Sequence, residues 1–219
     1  MLSYTKKAIK FTEEILNDCI RNIKKFRTEK EVYLFLVREA RKRKLRLAFK
    51  PLVVTSPNGF EIHHKPTDTS LKKGFLILDY GLKYKGYCAD ITRTVYLGEP
   101  SEKDIYLYNL VLTAHDEAFK NLKLGMDYAS IDQVARQILI KYKKNFRHAL
   151  GHGVGRRVHQ SPKVGPNNYK KLKENQIITI EPGIYFKNSF GIRIEDMVLV
   201  KDKPVYLTKI SRRLISSPL

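Results

Sequence analysis

The chain has 219 residues, and its 42 Lys and Arg against 22 Asp and Glu give a formal net charge of +20. With 42% hydrophobic residues, a chain of this length can bury a full core without disulfide or metal staples, which excludes a disordered polybasic chain. No apolar stretch approaches the roughly 20 residues of a membrane span, and charges interrupt the N-terminal apolar stretches. We therefore expect neither a membrane protein nor a signal peptide.

The cysteines indicate the redox compartment of the protein, and the net charge indicates which partners it could bind. Cys19 and Cys88 are too few for a disulfide framework, so we expect a cytoplasmic protein in a reducing compartment. The charge of +20 is explained either by attraction to nucleic acid or another polyanion, or by a lysine-rich surface that solvates the protein. Charge describes association and not fold, so the second explanation is favoured.

The N-terminal part of the chain predicts two helices. Apolar residues recur at helical spacing from residue 3 to about residue 26. Thr28 stands three residues before Glu31, which is the pattern of a capping box and predicts that a second helix starts there. That helix ends in the basic run 41–44, whose cations complement the partial negative charge of a helix C-terminus.

The rest of the chain predicts strands, two further helices and strands again. The predicted elements are strands at 52–55, 75–80 and 87–97, helices at about 101–122 and 127–143, and strands at 176–185 and 192–200. The order of helix, helix, strands occurs twice, which indicates an internal duplication. Runs of helices alternating with hairpins predict an α+β domain with helices on one face of a mainly antiparallel sheet.

Two predicted hairpins each present a pair of acids. If the first hairpin turns between residues 84 and 85, Asp79 lies directly opposite Asp90. The C-terminal hairpin places Glu181 opposite Glu195 in the same way. Directly opposed residues in an antiparallel pair are about 4.5–5.5 Å apart, a distance at which like charges destabilise the sheet. Each pair therefore needs a compensating cation or a shared proton.

Three explanations fit these acid pairs. The preceding segments are strongly apolar, so the acids are expected to lie deep, where unpaired carboxylates are costly. They could share protons as an acid dyad does, they could bind metal, or Arg93 and Arg193 could neutralise them. The arginines do not explain why both hairpins show the pattern, so we favour the first two explanations.

Histidines shift the balance towards a metal site. His148 and His152 are four residues apart, but an alanine follows the first and alternating glycines break any helix, which argues against the helical zinc-protease motif. The glycines instead suggest close approach of the backbone to a ligand. His159 follows seven residues later, and His63 and His64 follow a turn. Carboxylate oxygens with one imidazole suit Mn, Co, Fe or Zn in a two-metal site.

These segments resemble the metallopeptidases of the pita-bread fold, specifically aminopeptidase P and prolidase. Five matching segments occur in family order, at residues 78–81, 86–94, 148–159, 180–185 and 191–196. The resemblance covers essentially the whole chain and implies a curved, mainly antiparallel sheet covered by helices, with a pseudo-twofold duplication. It predicts one catalytic domain over residues 1–219, without the separate N-terminal domain that those relatives usually carry.

The resemblance also implies a metal centre and a mechanism. It assigns five metal ligands, which are Asp79, Asp90, His152, Glu181 and Glu195. Asp90 and Glu195 would bridge two divalent ions, with Mn or Co expected before Fe or Zn. In the family's mechanism, a metal-bridging water or hydroxide attacks the scissile carbonyl, and Glu181 would act as general base.

Four further residues match family positions around the substrate. His63 and His159 match catalytic histidines that contact the substrate and assist proton transfer. His148 and Arg193 match positions that bind the substrate or support the site. The resemblance thus predicts a two-metal exopeptidase that hydrolyses the N-terminal bond of short peptides, with proline after the scissile bond.

Two alternatives remain at this point. Within the fold, a methionine aminopeptidase is the alternative, although the segments 181–185 and 193–196 are typical of the proline-directed branch. In another class, a binding protein could use the basic surface to associate with RNA or the ribosome. Five intact metal ligands favour the enzyme. The oligomeric state is not predicted.

Overall fold

A computed structural model describes residues 1–62 and 64–217 of the chain. Its helices are α1 (Leu2–Arg21), α2 (Glu29–Lys42), α3 (Glu102–Lys120) and α4 (Tyr128–Ile138). Short 3₁₀ turns lie at Ile23–Lys25, Asn58–Phe60 and Ile140–Tyr142. None of the helices in the described ranges is both long and apolar enough to cross a membrane.

The strands of the N-terminal half are β1 (Arg46–Leu47), β2 (Leu52–Thr55), β3 (Gly74–Tyr80), β4 (Leu82–Tyr84), β5 (Tyr87–Cys88) and β6 (Ile91–Leu97). Those of the C-terminal half are β7 (Gly151–Gly153), β8 (Gln160–Val164), β9 (Ile177–Ile180), β10 (Gly183–Tyr185), β11 (Gly191–Arg193), β12 (Asp196–Leu199), β13 (Val205–Tyr206) and β14 (Ser216–Ser217).

The strands form a mainly antiparallel arrangement, as expected for the α+β class. Over the described residues the sheet orders are β14-β6-β3-β2, β13-β12-β9-β7-β8, β1-β4-β5 and β10-β11. Only the short pairing of β14 with β6 is parallel among these. The order of two helices followed by strands occurs in both halves, as the sequence predicts.

The helices form where amphipathic patterns and caps favour them. Residues of α1 at a spacing of three and four, such as Ile9, Leu16 and Ile20, are buried against the sheet. Thr28 caps α2 as predicted, because its side chain accepts from the backbone N–H of Glu31. The Glu31 carboxylate accepts from the N–H of Arg27, one residue before the position that a capping box requires.

Two hydrophobic clusters correspond to the two halves. One cluster packs α1 and α2 against strands that include β3, β4 and β6, and the other packs α3 and α4 against β9, β11 and β12. The helices therefore cover mainly the strands of their own half, although the first cluster also includes Ile177, Met197 and Leu199 of the second half.

The long strands predicted from the sequence are interrupted at the acids. The segment 87–97 divides into β5 and β6 with Asp90 in the gap. The segment 176–185 divides at Glu181, and the last predicted strand divides at Glu195. At these gaps the backbone bonds to other segments, since Glu181 donates to the carbonyl of Leu150 at 2.7 Å and Glu195 to that of Thr92 at 3.1 Å.

The predicted register of the first hairpin is wrong by two residues. Asp79 pairs with Thr92, and the turn lies at Lys85 and Gly86, whose φ angles of 45° and 85° are both positive. Two positive φ angles match the twist of the strands in a two-residue hairpin turn. Asp90 is therefore diagonal to Asp79. Because side chains alternate with a period of two, a shift of two residues keeps both carboxylates on one face.

The predicted register of the second hairpin is confirmed. The β9–β12 ladder, with Ile180 paired to Asp196, and the β10–β11 ladder keep the same register on both sides of the acids. Glu181 and Glu195 therefore lie opposite each other between the two ladders. Asn188 is at the centre of the turn, with a φ of 53°.

Candidate active site

The four predicted acids share one cavity with two of the histidines singled out in the sequence. Asp79, Asp90, Glu181 and Glu195 line a cavity of about 520 Å³, together with His152, His159 and Arg193. Ligand atoms of Asp79, Asp90 and Glu195 lie within 4.8 Å of one another, as do those of His152, Glu181 and Glu195. Residues more than 100 positions apart in the sequence thus converge on one point.

Backbone hydrogen bonds between the halves hold the acids together. The N–H of Glu195 donates to the carbonyl of Thr92, and the Thr92 hydroxyl donates to the Glu195 carboxylate at 2.7 Å. The carbonyl of Glu195 accepts from Arg93 at 2.6 Å. Glu195 is therefore fixed at its N–H, its carbonyl and its carboxylate by a dipeptide of the other half.

Burial raises the pKa of all four carboxyl groups. It raises that of Asp79, against the opposing effect of Arg193. It raises the pKa of Asp90 well above its usual range, reinforced by the charge of Glu195, and that of Glu195, reinforced by Glu181. The pKa of Glu181 is raised to about 8, again chiefly by burial. These groups are buried together without enough positive charge to keep them all ionised.

Arg193 is the one guanidinium within this acid cluster, among the described residues. Its Nη2 donates to Asp79 at 2.7 Å, its Nε to Thr92 at 3.1 Å and its Nη1 to the Tyr185 hydroxyl at 3.0 Å. One guanidinium against four carboxylates leaves a net of three negative charges when all four are ionised. Arginine alone therefore does not balance the cluster.

Arg93 forms its ion pair with a different acid, Asp196. Its Nη2 donates to Asp196 at 2.6 Å, and His115 Nε2 lies 3.1 Å from the other oxygen of that carboxylate. The three side chains are buried. The hypothesis that Arg93 neutralises one of the four acids is therefore wrong, because the guanidinium points away from the cavity into the neighbouring core.

His152 presents one ring nitrogen to the acids. Its Nδ1 is 3.1 Å from the carbonyl of Gly153, so Nδ1 carries the proton, since a carbonyl only accepts. Burial lowers the pKa of His152 to about 4, which keeps the ring neutral. The lone pair of Nε2 then faces Asp90 at 3.5 Å and Glu181 at 3.3 Å. A lone pair aimed at two carboxyl groups is the geometry of a metal ligand.

The other predicted histidines occupy distinct positions. His159 is exposed at the cavity, and its ring centroid is 4.4 Å from that of His152. His63 lies outside the described residues. His64, for which no role was predicted, lines the cavity and contacts Glu29 and Glu61 at 2.7 and 2.9 Å.

His148 reaches the site through a tyrosine. Its Nδ1 bonds to the carbonyl of Ala149, so its Nε2 accepts from the Tyr185 hydroxyl at 2.8 Å. Tyr185 in turn accepts from Arg193. Burial lowers the pKa of His148 to about 3, so the ring is neutral and can play this accepting role. The side chain lies behind Tyr185 and supports the orientation of Arg193.

The glycines of the histidine segment approach protein and not a ligand. A Cβ on Gly151 would lie 2.1 Å from the carbonyl oxygen of Thr179, and one on Gly153 would lie 2.4 Å from that of Ser161. The expectation that these glycines admit a ligand is therefore wrong. They allow β7 to pack tightly between β8 and β9, which places His152 beside the acids.

The donor set fits divalent metal ions. Four carboxylates and one imidazole supply the hard oxygen and borderline nitrogen ligands that such ions take. The Oδ1 of Asp79 is buried without a hydrogen-bond partner among the described residues, and such an atom is costly unless a cation lies beside it. The raised pKa values of Asp90 and Glu195 have the same origin, since several carboxyl groups are buried together there.

The sequence did not identify three supporting hydroxyl groups. Thr92 links Arg193 to Glu195, Thr179 donates to Glu181 at 3.2 Å, and Tyr185 connects Arg193 to His148. Thr92 and Thr179 each lie two residues from an acid and so share its face of the strand. That spacing was a signal for both threonines.

Comparisons with known proteins agree with this geometry. Residues 3–202 match the family described as metallopeptidase family M24. The chain is 35% identical over 219 residues to a Xaa-Pro dipeptidase of Pyrococcus horikoshii, covering 96% of this chain and 61% of that protein.

Solved structures are similar over nearly the whole chain. An X-Pro aminopeptidase of Thermotoga maritima superposes with a TM-score of 0.94 at 35% identity, over 99% of this chain and 63% of that one. A prolidase of Thermococcus sibiricus gives a TM-score of 0.94 at 36% identity, over 99% and 60%. The chain thus spans about three fifths of the length of these relatives.

Proposed function

Because this chain belongs to metallopeptidase family M24, we propose that it is a metal-dependent exopeptidase that removes the first residue of short peptides with proline in second position. The observation that carries the proposal is the convergence of four carboxylates and His152 in one cavity. The names of the relatives, Xaa-Pro dipeptidase, X-Pro aminopeptidase and prolidase, support the proline preference.

Two divalent ions would be held by five side chains: Asp79, Asp90, His152, Glu181 and Glu195. When bound, such ions supply a water of lowered pKa and stabilise the oxyanion of the tetrahedral intermediate. The oxygen-rich donor set favours Mn or Co, with Fe or Zn as the next candidates. Nδ1 of His152 keeps its proton and donates it in a hydrogen bond to the carbonyl of Gly153, which leaves Nε2 free for coordination.

The other chemical roles belong to groups that can hold or move a proton. We assign Glu181 as general base because of its position: its carboxylate lies in the cavity 3.3 Å from Nε2 of His152 and accepts from the Thr179 hydroxyl at 3.2 Å, beside the place where the attacking water would be held. His159 is exposed on the cavity side and would donate to the departing amine. His63 retains the substrate-contacting role that the resemblance implies. Arg193, held by Tyr185 and Asp79, would orient the substrate.

The cavity has an apolar side that suits a proline ring. Tyr33, Phe49, Pro51, Leu52 and Ile62 line the cavity together with the polar cluster. A ring packed on this surface would be removed from water while the scissile carbonyl faces the acids, which is the arrangement expected of a peptide site. A methionine side chain could also pack there, so methionine aminopeptidase remains the alternative within the fold.

A peptide panel distinguishes these activities. The purified protein, supplied with Mn²⁺ or Co²⁺, is assayed on Xaa-Pro dipeptides, Xaa-Pro-Xaa tripeptides and Met-Ala peptides. We expect the first residue to be released from proline peptides with the higher kcat/KM. Faster cleavage of Met-Ala peptides would overturn the proline assignment, and the two lengths of proline peptide decide between dipeptidase and aminopeptidase action.

A further inference from the structure

Glu29 is a fully buried carboxylate outside the acid cluster. It is the first residue of α2, and none of its surface is exposed. Neither the predicted metal centre nor the catalytic roles involve it. A buried carboxylate is strongly destabilising unless hydrogen bonds satisfy it, so its contacts indicate what it is for.

The donors that satisfy Glu29 all come from one stretch of chain. Its Oε1 accepts from the N–H of Thr55 at 2.9 Å and is 3.5 Å from the amide of Asn58. Its Oε2 accepts from the N–H and the hydroxyl of Thr67, both at 3.1 Å, and lies 2.7 Å from Nε2 of His64. The Glu29 carboxylate thus connects Thr55 to Thr67, which are twelve positions apart in the sequence.

The start of α2 reinforces this connection with its backbone. The N–H of Glu29 donates to the carbonyl of Thr69 at 3.1 Å, and the N–H of Lys30 donates to that of Thr67 at 2.9 Å. These N–H groups have no partner within the helix, because they lie in its first turn. The backbone at the start of α2 and the side chain of its first residue therefore both bind this part of the chain.

The anchored stretch forms part of the cavity wall. We call residues 56–62 and 64–67 the wall segment; apart from the 3₁₀ turn it has no regular secondary structure in its described part. Four of its residues line the cavity that the acids also line: Ile62, His64, Lys65 and Pro66. Because the rest of the segment has no strand or helix to hold it, its position depends on contacts such as those with Glu29 and with the backbone of Lys30.

A second attachment is apolar and lies at one end of the segment. Phe60 and Ile62 pack against Leu52 and Tyr185, and the Arg147 guanidinium lies 3.5 Å from the centroid of the Phe60 ring. These contacts hold residues 60–62. The part that follows, from His64 to Thr67, has Glu29 as its buried polar anchor.

We propose that Glu29 is a positioning residue that fixes the wall segment against α2 and so sets the shape of the substrate cavity. The inference rests on the proposed peptidase function for the role of the cavity, but the anchoring itself does not. Glu29 touches neither the substrate space nor the acid cluster. Its effect on substrate binding passes through His64 and its neighbours.

The first test is Glu29→Gln, which preserves size but places an NH₂ group where donors now point. Whichever oxygen is replaced, a backbone N–H of Thr55 or Thr67 loses its acceptor. We expect KM for an Xaa-Pro peptide to rise about tenfold or more while kcat changes by less than about threefold, the pattern of weakened substrate binding. Mn²⁺ titration of the metal-free protein should be unchanged.

Glu31→Gln is the matched control. Glu31 lies in the same first turn of α2, but it is exposed and accepts from the N–H of Arg27 and not from the wall segment. Its replacement should leave KM unchanged. If Glu29→Gln does not fold, Thr67→Val removes one donor without altering the buried charge, and it should raise KM by about threefold.

Hydrogen exchange separates this inference from the proposed function. Even if the wild-type protein cleaves no Xaa-Pro peptide, Glu29→Gln or Thr67→Val should speed amide exchange in residues 56–67 and not in residues 75–97. A variant that exchanges like the wild type across the wall segment would overturn the anchoring. Faster exchange with an unchanged KM would overturn the role of Glu29 in substrate binding.

Discussion

Asp90 is buried beside three other acids of the site, Asp79, Glu181 and Glu195. The residue is 3% exposed, and its carboxyl group lies 3.5 Å from His152 and close to the carboxyl groups of Asp79 and Glu195. Burial and the nearby acids raise its pKa well above the usual range. Such a group is stabilised by a cation that it shares with its neighbours, which is why it is the sharpest point at which to test the metal site.

Asp90→Ala should remove both metal binding and hydrolysis. Loss of a residue that merely supports a metal ligand typically costs about 10–100-fold, so loss of a residue that would itself hold the metal should cost more than about 100-fold. Calorimetric Mn²⁺ titration and peptide turnover measure the two effects. Asp68→Ala is the control, since Asp68 is exposed and, in the part of the chain that the structure describes, forms its ion pair with Lys30. Wild-type activity in Asp90→Ala would refute the metal site.

His159→Ala distinguishes a proton donor from a metal ligand. The ring lies close enough to Asp90 and His152 to join a metal-binding group, but it is exposed at the cavity. As a general acid it should contribute about 10²–10⁴-fold to turnover. We therefore expect kcat to fall by about 100-fold or more while Mn²⁺ affinity stays unchanged. A parallel loss of Mn²⁺ affinity would make His159 a ligand.

His64 should make the stability of the protein depend on pH. Burial lowers its pKa, but hydrogen bonds to Glu61 and Glu29 and the charges of these acids outweigh burial, so the pKa in the folded protein is raised. The stabilisation from the protonated ring is complete below the unfolded pKa of about 6.5 and is lost as pH rises through the folded pKa. His64→Gln should therefore lower the free energy of unfolding more at about pH 5.5 than at about pH 9. Equal losses, measured by urea denaturation, would contradict the pairing.

At the scale of elements, the sequence was most informative about which residues share a face. The register predicted for the first hairpin was wrong, because positive φ angles at Lys85 and Gly86 move the turn by one position and the pairing by two. The acids still converge, since an even shift leaves each side chain on its face. The strand breaks at the acids could not be predicted, because the backbone there bonds to segments distant in the sequence, as Glu181 does to Leu150 and Glu195 to Thr92.

The role of Thr92 and Tyr185 also depends on tertiary contacts. Thr92 binds Arg193 and Glu195, which follow it by about a hundred residues. Short-range patterns carry no information on such partners. The ligand residues were recognisable because carboxylates in apolar surroundings are unusual locally, whereas a threonine or tyrosine in a strand is ordinary.

Gly151 offers a test of how tightly β7 must pack. A Cβ at this position would meet the carbonyl oxygen of Thr179 at 2.1 Å, so Gly151→Ala must displace β7 from β9. Overpacking of this kind costs about 1–3 kcal/mol. We expect a lower free energy of unfolding by that amount and weaker Mn²⁺ binding, because His152 is the next residue.

Gly86→Ala is the comparison for Gly151→Ala. Gly86 has a positive φ of 85°, but a Cβ added there would meet no heavy atom within 4 Å, so the cost of the substitution is backbone strain in the turn. It should lose stability without losing Mn²⁺ affinity. If Gly151→Ala also kept full Mn²⁺ affinity, close packing of β7 would not be what positions His152.

At the scale of the whole molecule, basic side chains and the acids of the candidate site lie in different places. Basic side chains lie over aromatic rings near the start of α1, with Lys7 5.6 Å from the partly buried Tyr84 ring and Lys85 5.5 Å from that of Tyr4. The acids of the cavity are instead buried. Association with RNA stays a prediction that the structure does not test. Binding that weakens steeply with salt, without peptide hydrolysis in any divalent ion, would favour it over the enzyme.

The two halves form one site only together. Asp79 and Asp90 come from the first half, and His152, Glu181 and Glu195 come from the second. The relatives are longer than this chain, which spans about three fifths of their length. A single catalytic domain over residues 1–219 stays a prediction.

The most direct test of the central claim is a metal titration followed by peptide turnover. Metal-free protein is titrated with Mn²⁺, and release of the first residue from an Xaa-Pro peptide is measured at each step. We predict that hydrolysis is absent at first, rises with added metal to a plateau near two equivalents and disappears with a chelator. Hydrolysis that persists without metal, or no hydrolysis with any divalent ion, would contradict a two-metal peptidase.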